Sequence, residues 1–181
     1  MLTTTACPST LKALIRTIPD FPKPGIQFRD ITTLLESPSG WKQTIDSLAN
    51  RYRGRGIQKL VAIESRGFAL GGALAPHLGC GLVLARKKGK LPGKVVRQEY
   101  ALEYGHDCIE IHTDAIRRGE SCLIIDDLLA TGGTCQATCS LVERMGGRVT
   151  SCAFVVNLPD LKGSQRLARY DLHWLVEFDG D

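Results

Sequence analysis

The chain has 181 residues and a formal net charge of +4, and 43% of its residues are hydrophobic. That length fits one domain over 1–181 with a full hydrophobic core, and no apolar run approaches the roughly 20 residues that a membrane-spanning helix needs. No signal segment is apparent, and the seven Cys include no Cys-x-x-Cys pair. We therefore expect a cytoplasmic protein with reduced thiols and no membrane association.

The amino-terminal part is predicted to hold two helices separated by a loop. Apolar residues at helical spacing over 11–18 predict a short amphipathic helix. Pro19, Pro22 and Pro24, at the start of the segment 20–31 and just before it, predict a stiff surface loop, because proline removes a backbone donor and fixes φ. Ser37 and Pro38 then supply a cap and a first-turn proline for a second helix.

The rest of the chain alternates short apolar runs with helical patterns. The predicted strands cover 60–63, 81–85, 108–112, 122–125, 149–156 and 172–178. This order predicts an α/β fold in which a mainly parallel sheet is flanked by helices. Ligands of such sheets bind at the carboxyl ends of the strands, so the residues that follow the strands are the candidates for a functional site.

The segment 87–105 is polar and shows little periodicity, which predicts an irregular, flexible flap. From Arg86 to Arg97 the chain has six basic residues and no acid: Arg86, Lys87, Lys88, Lys90, Lys94 and Arg97. Without these six the rest of the chain carries a net charge of −2, so the positive charge is one local feature. Such a feature attracts an anionic substrate or a nucleic acid.

The most informative stretch is 122–134, where an apolar strand leads into Asp126 and Asp127 and then into a loop with Gly132 and Gly133. The glycines allow a tight turn, and the following helix start presents backbone N–H groups to an anion. Two carboxylates suit sugar hydroxyls or a divalent cation better than a phosphate. The stretch therefore predicts a cradle for a phosphorylated sugar, and the alternative is a plain strand–turn–helix with solvated acids.

This stretch resembles the thirteen-residue signature for 5-phosphoribosyl 1-diphosphate (PRPP) in type I phosphoribosyltransferases. The segments 21–31, 64–68, 86–93 and 101–105 resemble those of adenine phosphoribosyltransferases in order and spacing, from about 11 to 178. The resemblance implies the type I phosphoribosyltransferase fold, with an N-terminal base-recognition hood at about 9–35 and the flexible flap at about 87–105. It also implies a homodimer and a cis peptide bond between Ser65 and Arg66.

The resemblance further implies Mg²⁺-dependent transfer of ribose 5-phosphate from PRPP to adenine in purine salvage, giving AMP and pyrophosphate. The 5′-phosphate would lie in the loop of Ala130, Thr131, Gly132, Gly133 and Thr134. Asp126 and Asp127 would face the ribose hydroxyls. Mg²⁺ would be held mainly by PRPP, pyrophosphate and water, without a dedicated protein site.

The family resemblance also implies roles around the base and the leaving group. Adenine would stack on Phe28 and be covered by Leu128, with the backbone of Gln27 and Arg29 at its hydrogen-bonding edge. Glu103 would act as general acid/base and Arg66 would assist catalysis. Pyrophosphate would be bound by Arg66, Arg86, Lys87, Lys90 and Tyr104.

Several alternatives stay open from the sequence. Phe28 suits a core aromatic, Arg66 a strand-end cap, and Glu103 a solvated surface acid. A 6-oxopurine substrate is disfavoured because Gln136 and Ala137 follow the loop where those families often carry a Lys. A regulator that binds nucleic acid is disfavoured because the basic segment has no interleaved aromatic residue.

Overall fold

A computed structural model describes residues 8–101 and 105–180. Its strands are β1 (Arg16–Pro19), β2 (Gln27–Asp30), β3 (Lys59–Ile63), β4 (Gly81–Lys87), β5 (Val95–Ala101), β6 (His106–His112), β7 (Ser121–Leu129), β8 (Arg148–Asn157) and β9 (Leu172–Glu177). Its helices are α1 (Pro8–Ala13), α2 (Thr32–Glu36), α3 (Pro38–Tyr52), α4 (Arg66–Leu78), α5 (Gly133–Arg144) and α6 (Gly163–Arg166), with a 3₁₀ turn at Pro159–Leu161. Over these described ranges, none of the helices has the length and apolar character to cross a bilayer.

A seven-stranded sheet forms the centre of the fold, in the order β5-β6-β4-β3-β7-β8-β9. Strands β4, β3, β7, β8 and β9 are parallel, whereas β6 pairs antiparallel with both β4 and β5. The prediction of a mainly parallel sheet flanked by helices is confirmed. The parallel strands bring the ends of β3, β4 and β7 to one edge of the sheet, as the position of a ligand site requires.

Both faces of the sheet are buried, because successive residues of a strand point to opposite sides. On β3, Leu60 and Ala62 belong to a core cluster with α1, α3 and α4, which we call the first core. Val61 and Ile63 belong to a cluster with α5, the second core. The continuous apolar runs of the sequence are therefore central strands covered on both sides.

The cap predicted for the second long helix is confirmed. The Ser37 hydroxyl accepts a hydrogen bond from the backbone N–H of Gly40 at 3.2 Å, and Pro38 occupies the first turn of α3. The apolar face of the helix buries Ile45, Leu48 and Tyr52 in the first core. The helix is thus fixed at its start by a side-chain acceptor and along its length by burial.

The amino-terminal predictions are wrong in part. Helix α1 ends at Ala13, and Arg16–Pro19 forms a strand that pairs antiparallel with Gln27–Asp30. The prolines of 20–31 all precede Gln27, so they exclude regular structure only from the connection between these two strands. The predicted hood therefore contains a two-stranded sheet.

The predicted irregular stretch 87–105 is also wrong in part. Val95–Ala101 forms β5, whose seven residues pair with β6 from Val95 opposite His112 to Ala101 opposite His106. Arg97 on this strand makes an ion pair with the buried Glu110 at 3.4 Å. Cross-strand pairing and this ion pair outweigh the weak periodicity of the sequence.

The loop 130–134 lies against the start of α6. A Cβ atom added to Gly163 would lie 2.1 Å from the carbonyl oxygen of Ala130 and 2.8 Å from Leu129. A Cβ on Gly132, whose φ is +76°, would lie 3.0 Å from the carbonyl oxygen of Gly163. Backbone therefore packs on backbone here, and only glycine at 163 permits that approach.

We expect Gly163→Ala to lower the free energy of unfolding by about 1–3 kcal/mol, because the new methyl group must displace the backbone of the loop. Urea denaturation measures the change. The matched control is Gly72→Ala, at an exposed helical position where a Cβ meets nothing within 4 Å. That variant is expected to equal the native protein or to exceed its stability by up to about 1 kcal/mol. Equal stability of Gly163→Ala and the native protein would contradict the close approach.

Candidate active site

The candidate site lies where β3, β4 and β7 end. Strand β7 runs to Leu129, so Asp126 and Asp127 belong to its last residues instead of following it, and Asp126 pairs with Phe154 of β8. Sequence reasoning ended the strand at 125 because two charged residues interrupt the apolar run. The parallel ladder continues through them, which fixes the backbone that carries both carboxylates.

Asp127 is buried, and its carboxylate accepts a hydrogen bond from Nε of Arg66. Arg66 is the first residue of α4, so the pair joins this helix to β7. The cis peptide bond lies between Glu64 and Ser65, one bond earlier than predicted. The pairing of Arg66 with a buried acid of the neighbouring strand distinguishes it from a simple strand-end cap.

Asp126 has a different environment. Its Oδ1 accepts a hydrogen bond from the backbone N–H of Asp127 at 2.9 Å and lies near Gly67, where a Cβ would approach it to 3.2 Å. Burial of this carboxyl and the neighbouring charge of Asp127 raise the pKa of Asp126 well above its usual value. The edge therefore holds two carboxylates, one compensated by Arg66 and one without comparable compensation among the described residues.

The loop 130–134 has a geometry that suits an anion. Gly132 has φ +76° and stands at the start of α5, and its carbonyl accepts the first intrahelical bond from Gln136 N–H at 2.9 Å. The first N–H groups of a helix have no partner within the helix and carry the positive end of its dipole. The predicted loop residues are thus brought to the end of the strand that carries the carboxylates.

The hood places Phe28 beside this edge. The Phe28 ring makes an edge-to-face contact with Phe21, with centroids 5.2 Å apart, and the Arg66 guanidinium lies 5.5 Å from its centroid. Phe28 is half-buried and lies outside both core clusters, so the structure disfavours the core-aromatic alternative. Gln27 is half-buried, and Leu128 packs partly buried against the first core.

The side chain of Arg29 points away from the candidate base site and holds the hood to the end of the chain. Its guanidinium donates to Thr17 Oγ1 and to the Gly180 carbonyl, both at 2.7 Å, and lies 4.7 Å from the Phe178 ring centroid. Lys12 lies at the same distance from that ring. Only the backbone of Arg29 is thus left for a role in base recognition.

Three of the four cations predicted to bind an anion are already paired with acids. Arg86 contacts Glu64 at 3.2 Å and Lys87 contacts Asp107 at 3.2 Å, in addition to the pair of Arg66 with Asp127. Arg86 also donates to the backbone carbonyl of Lys90 at 3.0 Å. The positive field predicted from the sequence is therefore partly compensated before any ligand arrives.

Sequence reasoning missed the role of Glu64 and Asp107. Burial alone would raise the pKa of both carboxyls, but hydrogen bonds from Arg86 to Glu64 and from the Cys108 backbone and Lys87 to Asp107 outweigh it and lower the pKa. Tyr100 also donates to Asp107, at 3.2 Å. Asp107 lies outside every recognised motif, and only its position opposite Tyr100 in the β5–β6 ladder would have indicated it.

Glu103 and Tyr104 lie outside the described residues. The neighbouring Ala101 and His106 pair with each other at the end of the β5–β6 ladder. Asp107, which follows His106, contacts Lys87 at the edge that carries the site. The general acid/base role of Glu103 and the anion-binding role of Tyr104 stay predictions.

Comparison with known proteins gives a consistent result. The family model described as phosphoribosyl transferase domain matches residues 30–176. An adenine phosphoribosyltransferase of Methylobacillus flagellatus is 59% identical over 157 residues, which cover 87% of this chain and 89% of the relative. The crystal structure of the adenine phosphoribosyltransferase from Rhodothermus marinus is similar with a TM-score of 0.90 and 51% identity, covering 94% of this chain and 98% of that one.

A more distant solved structure carries ligands. It is the adenine phosphoribosyltransferase of Saccharomyces cerevisiae, complexed with adenine and an imino-altritol 1,6-bisphosphate. It is 36% identical, with a TM-score of 0.89, and the match covers 93% of this chain and 98% of that one. The similarity therefore extends across the sheet, the hood and the candidate site.

The charge on Asp126 generates a stability prediction. Because its pKa is raised in the folded protein, its contribution to stability is complete below the unfolded-state pKa of about 4 and is lost as the pH rises through the folded-state pKa. We expect Asp126→Asn to unfold at higher urea concentration than the native protein at pH 7, with a difference that shrinks as the pH falls towards 4. Urea midpoints measured between pH 4 and pH 8 test this.

The control is Asp114→Asn, at an exposed carboxyl that follows β6. Its urea midpoint is expected to follow that of the native protein across the same pH range. A loss of stability in Asp126→Asn at pH 7, or a difference that does not depend on pH, would contradict the assignment of an uncompensated carboxylate.

Proposed function

The chain belongs to the adenine phosphoribosyltransferase family, and we propose that it transfers the ribose 5-phosphate of PRPP to adenine, with Mg²⁺, releasing AMP and pyrophosphate. One observation supports the proposal most directly. Arg66 contacts both Asp127, at the predicted ribose site, and the ring of Phe28, at the predicted base site. The two half-sites that such a transfer needs are therefore adjacent.

The loop 130–134 would hold the 5′-phosphate of the sugar through backbone N–H groups at the start of α5. This position seats the ribose beside the end of β7, with its hydroxyls towards Asp126 and Asp127. Gly163 supports the loop from behind, so the cradle is preorganised before the ligand binds. A preorganised cradle reduces the entropy that binding would otherwise cost.

The two carboxylates would also act on the reaction itself. As the bond between C1′ and pyrophosphate breaks, the ribose develops positive charge of the oxocarbenium type. The positive charge on the ribose would interact favourably with the Asp126 carboxylate, which has no compensating partner comparable to that of Asp127 in the described residues. Stabilisation that appears only as this charge develops lowers the barrier and leaves ground-state binding largely unaffected.

Adenine would stack on Phe28, which the hood presents half-buried beside Arg66. Leu128 would cover the opposite face of the base, and the backbone of Gln27 and Arg29 would meet its hydrogen-bonding edge. Glu103 would exchange a proton at N7 of the base, and Tyr104 would assist at the pyrophosphate. The aromatic contact fixes the plane of the base, which aligns its attacking nitrogen with C1′.

The leaving pyrophosphate would be met by Arg66, Arg86, Lys87 and Lys90. The carboxylates of Glu64 and Asp107 hold Arg86 and Lys87 near this edge and reduce the mutual repulsion of the cations. Pyrophosphate would then take over part of each cation's hydrogen bonding. Before pyrophosphate binds, Glu64 and Asp107 thus accept hydrogen bonds from cations that would later bind pyrophosphate.

Mg²⁺ would be bound mainly through pyrophosphate oxygens and water. The donors at this edge fit that role, since Asp126 and Asp127 offer hard carboxylate oxygens to its hydration shell and no soft ligand is required. When bound, the cation would neutralise the diphosphate and make it a better leaving group.

Adenine is the preferred base over a 6-oxopurine, because no Lys follows the loop at Gln136 and Ala137. The activity would serve purine salvage. The six cysteines among the described residues are free thiols, which fits a reducing compartment such as the cytoplasm. Leu82 and Leu84 of β4 are 41% and 38% exposed and offer apolar surface to a second copy in a homodimer.

The direct test is to incubate the protein with adenine and PRPP, with and without Mg²⁺, and to measure AMP by chromatography. We expect AMP and pyrophosphate in equal amounts, dependence on Mg²⁺, and little product with hypoxanthine in place of adenine. Turnover of hypoxanthine at the rate of adenine would overturn the choice of base, and the absence of AMP would overturn the transfer itself.

Glu103→Gln is expected to lower kcat by about 10²–10⁴-fold while the affinity for PRPP changes little, because Glu103 is assigned to the base and not to the sugar phosphate. Steady-state kinetics with each substrate in turn measure both effects. The matched control is Glu99→Gln, at an exposed acid of β5, which should retain native kcat. Native turnover in Glu103→Gln would rule out the acid/base role.

A further inference from the structure

Three buried thiols meet in the second core, at residues that the proposed reaction does not use. The sulfur atoms of Cys135, Cys139 and Cys152 all lie within 4.8 Å of one another. The sulfur atoms of Cys139 and Cys152 are 3.6 Å apart. We call these three residues the thiol cluster.

The secondary structure brings the cluster together. Cys135 and Cys139 are four residues apart on α5 and so share one face of the helix. That face packs on the sheet, where Cys152 points into the second core from β8. The exposed fractions of the three residues are 3%, 0% and 0%, so the sulfur atoms are shielded from water.

The spacing suits one central atom. Bonds of about 2.3 Å to sulfur hold three sulfur atoms about 3.4–4 Å apart, so the cluster needs only small side-chain movements to enclose an atom. Over the described residues, no further Cys, His, Asp or Glu joins this group. The site therefore offers three sulfur ligands, which disfavours Zn²⁺, since structural zinc takes four.

Charge selects among the thiophilic elements. Three thiolates leave a net charge of −2 around Cu⁺ and −1 around Zn²⁺, and an uncompensated charge in an apolar core is costly. A trivalent centre leaves no net charge. Arsenic(III) combines that neutrality with a preference for three sulfur ligands in a pyramidal arrangement.

We propose that the thiol cluster is a binding site for trivalent arsenic. Arsenous acid, As(OH)₃, would react with three thiols to give As(S-Cys)₃ and three molecules of water. Each thiol proton leaves with one hydroxide of arsenic, three As–O bonds are exchanged for three As–S bonds, and no oxidation state changes. No oxidant or reductant is needed.

Tyr170 marks the path to the cluster. This residue is partly buried and packs against the second core, near Cys139, and its hydroxyl donates to Glu143 at 3.0 Å. Arg169 contacts the same Glu143 at 2.5 Å on the exposed side. A small neutral molecule such as arsenous acid would reach Cys139 when the Tyr170 side chain moves aside.

The experiment is native mass spectrometry of the full chain after anaerobic incubation with sodium arsenite. We expect one adduct per chain, heavier than the protein by one arsenic atom less three hydrogen atoms. Formation of this species should also raise the Tm, because arsenic bound only to the folded state stabilises it.

The variants Cys139→Ala and Cys152→Ala are each expected to lose this species and the rise in Tm. The matched control is Cys122→Ala, which removes an equally buried thiol of β7 outside the cluster and should retain both. Circular dichroism establishes that the variants are folded.

Three results would overturn the proposal. One is the absence of an adduct on the native chain. Another is an adduct that has lost two hydrogens and retained one hydroxyl, which indicates that only two thiols bind the arsenic. The third is retention of the three-hydrogen adduct by folded Cys139→Ala and Cys152→Ala.

Discussion

The ion pair between Arg66 and Asp127 is the contact on which the arrangement of the site depends. It joins the start of α4 to the end of β7 and fixes one of two adjacent carboxylates in a buried position. Breaking such a pair would leave an uncompensated charge, which costs about 3–5 kcal/mol when it is buried. The same guanidinium lies beside Phe28, so one side chain contacts both the proposed ribose site and the proposed base site.

Much of the fold follows from local signals that agree with one another. The apolar runs at 60–63 and 122–125 are too short for helices and are followed by helical patterns, which leaves a buried parallel strand as the consistent interpretation. Ser37 and Pro38 mark a helix start by two separate mechanisms, and the structure shows both. The loop 130–134 is recognisable because its glycines and hydroxyls follow paired acids at the end of a strand.

What the sequence does not reveal depends on partners far along the chain. Arg16–Pro19 forms a strand because it pairs with β2, although its apolar spacing favours a helix. Glu64 is 22 residues from Arg86, and Asp107 is 20 residues from Lys87. Each acid is adjacent to its cation only because the sheet brings them together. Gly163 belongs to no recognisable motif. Only the close approach of the Ala130 carbonyl shows why a residue without a side chain is required there. Tertiary contacts determine these features, and local sequence propensity does not predict them.

The contacts of Arg29 with Phe178 and Gly180 connect the segment after β9 to the two-stranded sheet that carries Phe28. Phe28, the residue proposed to stack on adenine, is on a two-stranded sheet, and such a small unit is only marginally stable alone. The orientation of the two-stranded sheet therefore depends on the segment that follows β9, because Arg29 and Lys12 both make cation–π contacts with the Phe178 ring. Shortening the protein before Phe178, or fusing a bulky partner there, would weaken the proposed base site without changing any residue that is proposed to contact substrate.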